Sequence, residues 1–182
     1  MILVFGVGLA VAVGLLRGGN LRNFGNIRVR WAWLALAALT IQVAIIYLTP
    51  AWSDIARLFF PLTHLGVLVV AWVNRHLGGM RLLAAGVALN LLVMVANGGF
   101  MPVAPEVLVQ AGIAESAEAV PLYTRVPHSK DVVLPRDEIA LRWLSDTIPL
   151  RPIQTIVSIG DVLMVPGVFL FVEKAMLQQE GE

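Results

Sequence analysis

The sequence predicts an all-α polytopic membrane bundle of about five transmembrane helices, and three observations carry that expectation. Hydrophobic residues make up 58% of the 182 and charged residues only 14%, whereas a soluble domain carries about a quarter charged residues. Mean hydropathy is +0.82. Five apolar runs are separated by charged or Pro/Gly-marked breaks, and each approaches the roughly 20 residues, range about 17 to 25, that cross a bilayer as a helix. A single membrane domain follows, with no room for a second globular unit. The net charge of +1 points to no nucleic-acid partner. There are no cysteines, which excludes disulfides, thiolate metal sites, iron–sulfur clusters and a cysteine nucleophile.

The first run, residues 1–16, has no charge and ends at Arg17-Gly18-Gly19-Asn20. It is not expected to be a cleaved leader, because the basic residues follow the apolar run instead of preceding it. The second run covers 31–49 and is stopped by Pro50. The third covers 58–74 and the fourth 82–96. The fifth covers 153–172, directly after Pro152. The first and fourth are short and are expected to borrow residues from their flanks.

Orientation follows from the short loops, since Lys and Arg stay on the cytoplasmic side. The loop after the first run holds Arg17, Arg22, Arg28 and Arg30 with no acid, and that after the third holds Arg75 and Arg81. Both belong inside, which puts the N-terminus outside and the C-terminus inside. Trp31, Trp33 and Trp72 fall at inner boundaries, and Tyr47 and Trp52 at an outer one. The long segment 97–152, with seven acids against five bases, becomes an outer cap. Within it, Arg136 to Ile148 places Ile139, Trp143 and Ile148 toward one helical face between Pro135 and Pro149. That pattern fits a helix lying on the outer leaflet, or one packed on the bundle, so the cap is expected to be mostly helical.

Asp161 is the most informative residue. It falls in the middle of the fifth run, where a carboxylate costs about 3 kcal/mol on insertion scales. On a continuous helix Gln154, Ser158 and Asp161 share one face. Gln42, His64 and Asn90 interrupt the second, third and fourth runs. With a rise of about 1.5 Å per residue, all four of Gln42, His64, Asn90 and Asp161 lie roughly 10 to 12 Å below the outer surface. Two readings stay open: the groups bond one another and lock the helices, or they line an outward-facing polar pocket. Asn97-Gly98-Gly99 at the end of the fourth run reads as a glycine helix cap followed by Pro102, or as free amide donors facing a ligand.

Ser129-Lys130-Asp131 does not by adjacency make a Ser/Lys catalytic pair; Lys130 is instead placed to reach an anionic headgroup or Asp161. No catalytic set, metal site or cofactor is identified. The histidines are His64, His76 and His128, and only His64 falls within a run, which suits hydrogen-bonded packing or, as the alternative, one axial ligand to a pigment. Gly6, Ala10 and Gly14 form a small-xxx-small stripe that admits a close helix partner, in this chain or in another subunit.

The order of elements, Leu16-Arg17-Gly18-Gly19, Asn97-Gly98-Gly99-Phe100-Met101-Pro102, Leu144-Ser145-Asp146-Thr147-Ile148-Pro149 and Ser158-Ile159-Gly160-Asp161, resembles a bacterial family of small polytopic membrane proteins catalogued as a domain of unknown function. The resemblance spans essentially the whole chain and implies a bacterial cytoplasmic-membrane location and a five-helix core. It brings no activity.

Two functions are therefore expected in competition. One is a non-catalytic accessory subunit of a membrane protein complex, with lipids and other membrane subunits as partners. The other is a small enzyme or binding protein for a lipid-like or amphiphilic ligand, with Asp161, Ser158, Asn97, Gly98, Gly99, Asn90, His64, Gln42 and Lys130 as its candidate site.

Overall fold

The computed structural model describes residues 2–49 and 53–178, so Met1, Pro50 and Trp52 lie outside the described residues. The chain is mostly helical. Its α-helices are α1 (Ile2–Leu16), α2 (Ala32–Leu48), α3 (Asp54–Val73), α4 (Met80–Ala96), α5 (Pro105–Gln110) and α6 (Ile159–Leu177). By length and composition, α3 is the one helix among the described residues long and apolar enough to cross a membrane; α1, α2 and α4 are apolar and shorter.

The helix ends are written in the sequence. After α1, the Gly19 amide bonds the Gly14 carbonyl and the Gly18 amide bonds that of Leu15, with Gly18 at φ 81°; this is a Schellman cap. Asn97-Gly98-Gly99 repeats the device, the Gly99 amide reaching back to Met94 at 2.8 Å. Ser53 caps α3 by accepting from the Ala56 amide. Pro61 inside α3 removes the amide that would bond the Arg57 carbonyl, and a Cβ on Gly99 would collide with that same carbonyl oxygen. The proline and the glycine thus let the start of the cap sit on α3.

Helices pack in the order α2, α3, α4, α6, α1. The α4–α6 contact is antiparallel and built on paired glycines: a Cβ on Gly86 would strike the Gly160 carbonyl, and one on Gly79 that of Gly167. α1 runs parallel to α6, with Gly6 against Val165 and Gly14 against Met176. At the far end from the cap, Arg17 pairs with Glu173 and the Asn20 amide bonds the Met176 carbonyl. There too the Asn74 side chain exchanges two 2.8 Å bonds with the backbone of Arg30.

Residues 97–158 form the cap, which is not the mostly helical segment the sequence predicts. β1 (Met101–Val103) pairs in parallel with β2 (Asp131–Val133), and β3 (Ile148–Leu150) pairs antiparallel with β4 (Thr155–Val157). The helix expected over 136–148 is replaced by turns and one 3-10 turn at Arg142–Leu144. Two causes are visible: Leu141 takes a positive φ of 53°, and the Ala140 amide and carbonyl are both spent on the Asn97 side chain at 2.9 Å. The cap is also fastened to α2, where the Arg125 guanidinium takes the Ile46 and Thr49 carbonyls at a helix end that favours a cation. Phe60, Val93, Met94, Phe100, Met101 and Val132 form the core beneath it, with Phe60 and Phe100 edge to face at 6.0 Å.

The last helix also begins later than the apolar run suggests. Residues 151–157 hold a 3-10 turn (Arg151–Ile153) and β4 (Thr155–Val157), and α6 starts at Ile159. Gln154 stands outside the helix at φ 45°, so it shares no helical face with Ser158 and Asp161. Asp161 lies in the first turn, under the cap, rather than at mid-helix.

Candidate functional site

Ser158 and Asp161 form a capping box. The Ser158 hydroxyl accepts from the Asp161 amide at 3.0 Å, and Asp161 Oδ2 accepts from the Ser158 amide at 3.0 Å. Asn90 of α4 closes the cluster: its Nδ2 donates to Asp161 Oδ1 at 3.1 Å, and the Ser158 hydroxyl donates to its Oδ1 at 2.8 Å. All three residues are buried. Gly160 is what permits the approach, since a Cβ there would overlap Asn90 Oδ1. Every polar atom of these three side chains is thereby engaged, and the result is a knot joining α4 to α6.

Gln42 and His64 form a second contact, between α2 and α3. The Gln42 amide donates to the Thr63 hydroxyl at 2.9 Å, and His64 Nδ1 lies between the Phe60 carbonyl (2.9 Å) and Gln42 Nε2 (3.1 Å). The polar layer is therefore two separate bonded groups. Asn97, Gly98 and Gly99 stand apart from both: they cap α4 and hold the Ala140 turn, and the Gly98 carbonyl accepts from Arg57.

Lys130 belongs to a different cluster. Its ammonium lies 3.4 Å from Asp131 Oδ1 and 3.4 Å from Asp146 Oδ2. These three residues and Asp161 line a cavity of about 190 Å³, closed on one side by Ile2 and Leu3 at the start of α1. A wider recess of about 630 Å³ shares Ser129, Asp131, Thr155 and Ile156 with it and reaches Tyr47 and His128, whose rings stack at 5.2 Å. Around the small cavity three carboxylates face one lysine. Asp146 has a side chain only 2% exposed, and its Oδ1 is buried without a hydrogen-bond partner.

Electrostatics follow from that count. Burial alone lowers the Lys130 ammonium, but Asp146, Asp131 and Asp161 together outweigh it and hold the lysine above its ordinary range. Burial lifts the Asp146 carboxyl well above its usual value; Lys130 opposes this and Asp131 adds to it. A buried carboxylate with a bare oxygen, in an excess of negative charge, is suited to accept a cationic group or a proton. Nucleophilic chemistry finds no such support: the Ser129 hydroxyl accepts from the Asp131 amide and that of Ser158 is held in the knot. Among the described residues, no three His, Asp or Glu side chains converge to hold a metal ion.

Asp131 and Asp146 are the site residues that sequence reasoning passes over. The Leu144-Ser145-Asp146-Thr147-Ile148-Pro149 element contains Asp146, but the helix expected over 136–148 gave no reason to bring it to Lys130.

These features define a mostly helical chain with a mixed cap seated on the ends of its helices and a charged cavity beneath it. The chain belongs to a family of unknown function, DUF5317, whose model matches residues 26–173. No curated protein and no solved structure matches it.

Proposed function

We propose that this protein crosses the bacterial cytoplasmic membrane about five times, with N-terminus and cap outside, and binds the ammonium headgroup of a lipid-like amphiphile beneath the cap. Support for the membrane comes from the helix surfaces. Val4, Phe5 and Leu9 of α1, Leu36, Leu39 and Val43 of α2, and Leu58, Leu62 and Leu65 of α3 are all exposed, more apolar surface than a water-facing monomer shows. The end opposite the cap gathers Arg17, Arg22, Arg28, Arg30, Arg75 and Arg81, which suits the cytoplasmic face.

The observation that carries the binding proposal is the unpartnered Asp146 oxygen in a cavity where Asp131, Asp146 and Asp161 face Lys130 alone. Such a cavity recognises an organic cation, and its wall of Ile2 and Leu3 suits the start of an attached acyl chain. The ligand's ammonium needs Asp146 ionised, so binding should strengthen as pH rises.

The test is retention of phosphatidylethanolamine by the full chain in mild detergent, counted by native mass spectrometry against its N-acetylated form, which lacks the charge. One molecule of phosphatidylethanolamine lost in Asp146→Asn, with no such Asp146-dependent molecule of the acetylated form, is the expected result. Retention that ignores both changes would sink the proposal. The competing reading, an accessory subunit, predicts instead that a stoichiometric protein leaves the membrane with this chain. The Gly6/Ala10/Gly14 stripe lends that reading no weight, because α6 covers it.

A further inference from the structure

A second recess lies at the opposite end of the molecule, between α3 and α4. It has a volume of about 420 Å³, within the roughly 300 to 1,000 Å³ of small-molecule sites. Leu68, Trp72 and Arg75 approach it at helical spacing from the α3 side, and Arg81, Ala85 and Ala88 from α4. The walls are apolar and made shallow by alanine, and the charge is confined to one end.

That end holds two guanidiniums and no carboxylate. Among the described residues neither Arg75 nor Arg81 has an acidic partner; Arg75 donates only to the Trp72 carbonyl and lies 5.2 Å over the Trp72 ring, which is itself exposed. Arg81 stands in the first turn of α4, where the helix dipole disfavours a cation and favours an anion. No side chain caps that turn, which opens at Gly79. An anion between the two arginines would relieve both conditions.

We infer that this recess binds an anionic phospholipid, its phosphate between Arg75 and Arg81 and one acyl chain along Ala85, Ala88 and Leu68. From Arg81 to Ala88 the helix rises about 10 Å, so the apolar wall continues from the charged end for two turns. A free phosphate would use the arginines and leave that wall bare. Paired basic residues between helices on the cytoplasmic side, beside an interfacial tryptophan, are suited to such a headgroup. The inference rests on the membrane reading above and concerns a site at the other end of the helices from the ammonium pocket.

Carbonate extraction comes first, and a chain released by it would overturn the membrane reading and this inference together. The chain retained in membranes is then exchanged in mild detergent against phosphatidylglycerol or phosphatidylcholine with the same acyl chains, and bound lipid is counted by native mass spectrometry. Each arginine near an anionic headgroup gives about a fivefold preference, so phosphatidylglycerol should be retained roughly 25-fold better. R75Q/R81Q should abolish that preference with an unchanged melting temperature, since both side chains are exposed. Ala88→Phe fills the recess, keeps both arginines, and should lower retention of both lipids. Equal retention of the two lipids by the unaltered chain, or a preference that survives R75Q/R81Q, overturns the inference while leaving the membrane reading intact.

Discussion

On one side of Asp161, Asn90 and Ser158 engage each other and both carboxylate oxygens in four hydrogen bonds of 2.8 to 3.1 Å. On the other side, Lys130 sits 3.4 Å from each of two carboxylates and Asp146 keeps a bare oxygen. Both clusters are buried, and both join cap or helix starts to their neighbours. A polar network with every member bonded rigidifies its surroundings, whereas one with an unmet group carries a standing cost of desolvation. The knot is thus built to hold α4 against α6, and the Lys130 pocket retains capacity for something further. Substitutions that treat the two clusters alike should separate them.

The largest loss is expected from Asn90→Leu. It leaves Asp161 Oδ1 and the Ser158 hydroxyl proton buried without their partner, at a cost of about 4 kcal/mol for two buried unmet groups. Gly160→Ala should act in the same direction, because its methyl group would overlap Asn90 Oδ1 and the Gly86 carbonyl. Thermal unfolding of each variant in detergent measures the effect, and a melting point within a degree or two of the unaltered chain would show that the knot holds nothing together.

Asp161→Asn comes next. Both oxygens of Asp161 accept, one from the Ser158 amide and one from Asn90. An asparagine offers one acceptor and turns a donor toward a donor, so it keeps only half of the arrangement, at a cost of about 1 to 3 kcal/mol. Restoration by Asn90→Asp in the same chain, which supplies an acceptor for the new amide, would establish that the two side chains act as a pair; a double variant no better than the single would refute the pairing.

How much of this was legible beforehand depends on which rule each residue obeys. Glycine caps were readable, because Gly18 and Gly98-Gly99 follow apolar runs where only a positive φ closes the helix. Ser158-Ile159-Gly160-Asp161 was equally readable as a capping box, a serine answered three residues later by a carboxylate. Hydropathy hid it: Ile153, Ile156 and Val157 extend the apolar run upstream, although Thr155–Val157 is a strand, and periodicity in so short a stretch does not distinguish the two. The cap was least legible. Its strands are three residues each, and Ala140 is kept out of a helix by Asn97, more than forty residues away. Lys130 and Asp146 meet only through that long-range folding, so no local pattern announces them.

Loosening the cap should cost less than breaking the knot. Asn97→Ala removes the two-way bond to Ala140 and the side-chain bond to the Val93 carbonyl, but leaves every backbone amide bond of α4 and the Gly99 cap in place. With the partner groups at the cap surface able to find water, a loss of about 1 kcal/mol is expected. Amide hydrogen exchange should quicken over 137–144 and stay unchanged in α4; equal quickening in both would mean that Asn97 matters to the helix and not to the cap.

The smallest effect on stability, and the sharpest contrast with Asp161→Asn, is expected for Asp146→Asn. The partners of Asp146 are Lys130 and the neighbouring Asp131 carboxyl, and an asparagine can still accept from the first and donate to the second, so the change at neutral pH should stay within about 1 kcal/mol. The pH dependence is what separates the two forms. Burial raises the folded-state pKa of Asp146 above its unfolded value, so the folded chain holds this proton more tightly than the unfolded chain does. The stability so gained is complete below about pH 3.9, the ordinary aspartate value, and is lost as pH climbs through the raised folded pKa. Melting temperatures taken from pH 4 upward should therefore fall more steeply in the unaltered chain than in Asp146→Asn, which has no such proton to lose. Parallel profiles would mean that Asp146 is not the strained group of the pocket, and the bare oxygen would then give no reason to expect a cation there.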